Sequence, residues 1–175
     1  VVIEQDPDFM RPRFLQGLVG LETGQYLNNQ TLIDVRKRLV GSQYFGNISV
    51  TFGEKDKQTA TVPVLVKLTP GYRIDYSVGL GYTTDTGARS TFEYQHHRLN
   101  DRGFQLSAKL QLAEVNNEFT ARMKFPSISN PDEKWYEAQL GHRQENNDVY
   151  EADTTKMGLS QTRLQTHQWQ NINFI

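Results

Sequence analysis

Few residues in this chain could carry out chemistry. His96-His97 is the first place to look for a metal site, because imidazole is a common ligand. Both residues fall at the end of an alternating run, though, and neighbours on a strand point to opposite faces. One ion would need a bulge to hold both rings, so the pair reads more simply as a polar pair next to a loop. Asp85, Asp101 and Asp132 fall in segments that read as turns, where Asp hydrogen-bonds its own backbone. No two of them are placed together as hydrolysis by paired carboxylates requires. The serines lack a nucleophile-elbow context, and no glycine-rich loop joins a strand to a helix to cradle phosphate. With no cysteine, thiolate and disulfide chemistry are excluded. No enzymatic activity, cofactor or metal is expected.

The elements that would position any site are more informative. From Arg73 to Tyr82 the even positions are Ile74, Tyr76, Val78, Leu80 and Tyr82, and the odd ones are polar or glycine. A second run sets Phe92 and Tyr94 against Arg89, Thr91, Glu93 and Gln95. In a third, Phe104, Leu106, Ala108, Leu110 and Leu112 alternate with Gln105, Ser107, Lys109 and Gln111. A fourth opposes Phe119, Ala121, Met123 and Phe125 to Thr120, Arg122 and Lys124. Period-two alternation predicts four consecutive strands, each with one apolar and one polar face. A fifth is predicted over 135–143, with Tyr136, Ala138 and Leu140 on one face. A weaker sixth spans 154–164. WQNINFI (169–175) reads as the start of another strand, and the chain is expected to be a fragment of something longer, with any signal peptide outside it. Short polar turns at 98–103 and 113–117 make the strands sequential and antiparallel.

Two arrangements could cover the apolar face. One is a second protein layer, as in a sandwich; the other is lipid, as in a transmembrane barrel, whose strands have this length and this apolar-out, polar-in alternation. The aromatics at run ends, Tyr72, Tyr82, Phe104, Phe119, Phe125, Trp135 and Tyr136, suit interfacial girdles or the core of a sandwich. The barrel reading is preferred. With 37% hydrophobic residues and a mean hydropathy of -0.64, the chain has no stretch suited to a spanning helix. A net charge of -1 gives no electrostatic footprint for nucleic acid. Gly79 and Gly81 stand out on the polar face of the first run, where glycine weakens a strand. They mark either a bend or close approach of a neighbour, or a strand that pairs loosely.

Before these runs the pattern changes. A short strand at 1–3 precedes a helix over about 9–19, with Phe14, Leu15 and Leu18 on one face and Pro12 in its first turn. A second helix is predicted over 30–40, capped by Asn28 or Asn29, with Leu32, Val35, Leu39 and Val40 at helical spacing and Gly41 closing it. Ile48, Val50 and Phe52, then Val62, Val64, Val66 and Leu68, form a hairpin around the polar turn 53–59. The fold class is therefore α+β: a β-α-α-β-β unit over residues 1–70, then an antiparallel up-and-down meander over 71–175. Thr69-Pro70-Gly71 is too short a boundary to let the unit swing freely.

Three segments resemble a known family. SQYFGNISV (42–50), in its β-α-α-β-β context, looks like a polypeptide-transport-associated (POTRA) domain. VGLGYTTDTGARSTFEY (78–94) resembles the first barrel strands of the outer-membrane β-barrel assembly superfamily that includes TamA and BamA, with Ala88 where the TamA pattern has Pro. KFPSISNPDEKWYEAQLGHR (124–143) is similar to the next hairpin, including Pro126 and Asn130-Pro131. The TamA branch is the closest match, and two-partner-secretion transporters share the architecture.

That resemblance implies an outer-membrane protein of a Gram-negative bacterium. Residues 1–70 would be periplasmic and 71–175 would supply the leading strands of a longer barrel. It implies a function: insertion of β-barrel or autotransporter clients by strand addition at the first barrel strand, carried by Tyr72, Ile74, Tyr76, Val78, Gly79, Leu80, Gly81 and Tyr82. The implied partners are client outer-membrane proteins, the lipid bilayer and a periplasm-spanning inner-membrane protein of the TamB type. Alone, the chain is expected to self-associate. The alternative is a soluble periplasmic ligand-binding module, an α+β domain joined to a β-sandwich.

Overall fold

A computed structural model describes residues 1–22, 24–26, 28–54, 61–84, 87–146, 150–165 and 169–174. The elements expected from periodicity are present. Strand β1 (Val2–Gln5) is followed by α1 (Pro12–Val19), α2 (Asn29–Gly41), β2 (Phe45–Phe52) and β3 (Val64–Pro70). The central β3 pairs parallel with β1 and antiparallel with β2. Helix α1 begins three residues later than the spacing suggested, with Pro12 at its first position, where a missing N–H costs nothing. It ends at Gly20, left-handed at φ 60, whose N–H returns to the Gln16 carbonyl at 2.9 Å.

Asn28 caps α2: its side chain accepts from the Thr31 N–H at 2.8 Å. Gly41 does not close this helix. It is the last helical residue, and the left-handed position is taken by Gln43 at φ 62. Apolar residues of both helices, Phe14, Leu15, Leu18, Val19, Val35 and Leu39, pack on Val64, Val66 and Leu68 of β3. Each is worth about 1.5–3 kcal/mol when fully buried. The turn expected at 53–59 lies mostly outside the described residues, as does Asp85.

Beyond residue 70 seven strands follow in unbroken meander order: β4 (Ile74–Thr83), β5 (Gly87–His96), β6 (Gln105–Ala113), β7 (Asn116–Pro126), β8 (Lys134–Asn146), β9 (Glu151–Gln165) and β10 (Trp169–Phe174). The register aligns side chains of one kind across the sheet. One row reads Tyr76, Tyr94, Ala108, Ala121, Leu140 and Met157. The adjacent row, on the opposite face, reads Ser77, Glu93, Lys109, Thr120, Gly141 and Lys156. Lys109 Nζ meets Glu93 at 2.8 Å there. One placement differs from the sequence reading. Trp135 pairs with Pro126 on the charged side, with the Lys124 ammonium 4.2 Å above its ring, so it does not join an outward girdle. Ile172 and Phe174 of β10 pair with Thr162 and Ser160, which also puts them on the charged side.

No described residue covers the apolar face. Leaving Pro126 and Pro131 aside, every buried aliphatic or aromatic side chain among the described residues precedes Gly71. Ile74, Phe92, Leu110, Phe119, Leu140 and Met157 are all exposed. A sandwich would place a second layer over these side chains, and the described residues form none.

Candidate functional site: an open strand edge beside an uncovered apolar face

Strand β4 borders the seven-stranded sheet and, among the described residues, pairs only with β5. Its pairing phase is set where the His97 N–H donates to the Arg73 carbonyl at 2.9 Å. In an antiparallel ladder, residues exchanging both bonds alternate with residues exchanging none. The register pairs 74 with 96 and 75 with 95, so the odd residues of β4 spend their main-chain groups on β5. The even residues, Ile74, Tyr76, Val78, Leu80 and Tyr82, turn theirs to the open edge. These are also the residues whose side chains form the apolar face. Val78, Leu80 and Tyr82 are 69%, 85% and 74% exposed.

Most of the expected site residues are therefore brought together on one strand. Tyr72 is not among them: it precedes β4, because Gly71 is still held by the small sheet, its N–H on the Tyr44 carbonyl at 3.0 Å. Gly79 and Gly81 sit opposite Thr91 and Arg89. A Cβ on Gly79 would meet only Thr91 at 3.9 Å, and one on Gly81 only the Arg89 guanidinium at 3.8 Å. Within the described residues no neighbour requires glycine at either position, and β4 pairs along its whole length without a register shift.

Several residues not assigned such a role from the sequence fasten this strand and its sheet. His97 is buried, and its Nε2 lies 2.7 Å from Asp75 Oδ2. His96 points away and accepts from the Arg98 N–H, so the two rings do not converge. Among the described residues no three metal-ligating side chains cluster. Arg98 is also buried, with its guanidinium carbon 4.2 Å above the Phe9 ring. Burial, with Arg73 adding repulsion, lowers the pKa of its guanidinium.

The turns after β5 and β7 grip the small sheet's helices. Arg11 Nε bonds Asp101 at 2.6 Å, and Arg38 lies 3.9 Å from Asp132. Beside the Arg38–Asp132 pair a cavity of about 310 Å³ is lined by Leu18, Tyr44, Gln105, Lys124, Asp132 and Trp135, among others. On the charged face Gln105 donates to the Ser42 carbonyl at 3.2 Å.

No protein-family model matches the chain. Among solved structures it is similar to BamA from Haemophilus ducreyi lacking POTRA domains 1-3, with a TM-score of 0.68 at 11% identity, over 93% of this chain and 32% of that one. It is also similar to CdiB from Escherichia coli, with a TM-score of 0.55 at 13% identity, over 91% of this chain and 31% of that one. The fold is that of one third of a BamA-like barrel protein. At such low identity the likeness concerns the fold alone. The chain spans about a third of the length of either protein.

Proposed function

We propose that the chain is the membrane-proximal part of an outer-membrane protein-assembly or translocation factor of the superfamily that includes BamA and TamA. In this reading residues 1–70 are its last periplasmic POTRA domain. Residues 71–175 are the leading strands of its barrel, with Ile74, Leu106 and Met123 facing lipid and the Glu93–Lys109 row facing a wet lumen. Motif resemblance favours the TamA branch, autotransporter-type clients and a periplasm-spanning partner of the TamB type. The reading assigns it no catalytic role.

One observation carries the proposal: the open edge of β4 and the uncovered apolar face belong to the same residues. In lipid an unpaired N–H or C=O costs several kcal/mol. An edge at that depth must be matched by another strand, either the barrel's own last strand or a client's. A client segment would gain main-chain bonds to Ile74, Tyr76, Val78, Leu80 and Tyr82 and place its own apolar side chains in the same plane. The likeness to BamA and CdiB supports this frame.

Proline separates the two sides of β4. Leu80→Pro removes a donor from the open edge and leaves the β4–β5 ladder complete, whereas Gly79→Pro breaks that ladder. In the full-length protein in lipid nanodiscs, Leu80→Pro should abolish crosslinking of a client strand to β4 without lowering the melting temperature. Gly79→Pro should lower both. Undiminished client crosslinking by Leu80→Pro would rule out strand addition at this edge.

A further inference from the structure

The two ends of β4 are fastened differently. At its foot, the His97 N–H donates to the Arg73 carbonyl at 2.9 Å and the Arg73 guanidinium donates to the Arg98 carbonyl at 3.4 Å. His97 Nε2 adds its 2.7 Å bond to Asp75. A carboxylate only accepts, so Nε2 carries the hydrogen. Only 7% of the His97 side chain is exposed, and Arg98 beyond it is seated on Phe9. Toward the other end Gly79 and Gly81 offer no side chain to a fastening of this kind.

We propose that His97 is a positioning residue that fixes the foot of β4, so that an added strand starts pairing at Ile74 and Tyr76 and extends toward Tyr82. The inference rests on the strand-addition reading above and gives it a direction. A template held in its bound geometry loses less conformational freedom on association, so pairing begins where the edge is already ordered. Pairing then extends along the glycine end, whose own ladder to β5 is already formed. Phe9 and Arg98 act one step further out by keeping the His97 turn in place.

The test uses the full-length protein in nanodiscs, with residue-resolved hydrogen exchange on β4 and crosslinking of a client strand from position 74 or position 80. His97→Phe keeps a ring but removes the donor. His97→Gln keeps an N–H that can serve Asp75. Asp75→Ala removes the acceptor at an exposed position, should give the same changes as His97→Phe, and so covers the case in which a buried substitution prevents folding. In His97→Phe the amides of Asp75 and Ser77 should exchange about tenfold faster, the loss expected for one hydrogen bond. The crosslink from position 74 should form more slowly while that from position 80 keeps its rate. Gln should restore both. Unchanged exchange at Asp75, or equal slowing of both crosslinks, would overturn the proposal. If even the wild type gives no crosslink at either position, strand addition fails, and the exchange arm alone still decides whether His97 fixes the foot.

Discussion

Tyr44 and Gly103 meet across the joint between the two sheets. The buried Tyr44 hydroxyl donates to the Gly103 carbonyl at 2.7 Å, and burial raises its pKa, which keeps it a neutral donor. Gly103 is left-handed at φ 75, and a Cβ there would lie 2.6 Å from the Phe14 ring. The β5–β6 turn thus seats on the helical unit through one backbone carbonyl and one missing side chain.

Tyr44→Phe should leave that carbonyl unpaired and destabilise the joint by about 1–3 kcal/mol. Gly103→Ala should cost more, since it combines a disfavoured φ with a clash. Thermal melts of the two variants in detergent would measure both losses. A stability equal to the wild type in Gly103→Ala would mean that the turn is not seated against Phe14.

Two carboxylates at this joint should give opposite pH dependences. Burial raises the Asp132 pKa, with Arg38 opposing. Its folded pKa lies above the unfolded one, so its contribution is favourable below the usual carboxylate range and is lost as pH rises through the raised value. The hydrogen bond from Arg11 lowers the Asp101 pKa. Its stabilisation is present above the ordinary carboxylate pKa and is lost as pH falls through the depressed one. In melts from pH 3 to 7, Asp132→Asn should remove a downward slope with rising pH, and Asp101→Asn should remove a loss at the acid end.

The two faces should tolerate charge differently. Arg in place of Leu110, in the middle of the apolar face, should cost about 2–4 kcal/mol when the full-length protein folds into bilayers. Arg in place of Thr120, on the charged face, should cost little. Equal penalties in a bilayer refolding titration would mean that lipid does not contact Leu110.

Gly79→Ala tests the open space beside β4. A methyl group there meets only Thr91, at ordinary contact distance. The substitution should stabilise the strand by about 0.4–1 kcal/mol through the unfolded state. Hydrogen exchange at the neighbouring Leu80 and Gly81 amides should register the change.

Much of the fold was legible because it is local. Alternation through Ile74–Tyr82 and Leu106–Leu112 gave strands because side chains on a strand switch sides at every residue, and that rule needs no knowledge of the partner. Asn28 was recognisable as a cap for α2 for the same reason. Gln43 at the end of α2 was not, because glycine is the residue a left-handed position favours and the chain uses another. Trp135 shows the limit of end-of-run aromatics: its face follows from pairing with Pro126, nine residues back.

The site divides in the same way. That Ile74, Tyr76, Val78, Leu80 and Tyr82 share a face was already written in the sequence, since the spacing alone places them. That the same residues hold the open main-chain groups depended on a single long-range bond, from His97 to Arg73, which sets the phase of the ladder. The His97–Asp75 and Tyr44–Gly103 contacts join residues 22 and 59 positions apart. Periodicity carries no information over such separations. Local sequence determined the elements and their two faces; the tertiary structure decided the edge, its fastening and the joint, because those depend on which distant backbone groups come within hydrogen-bonding reach.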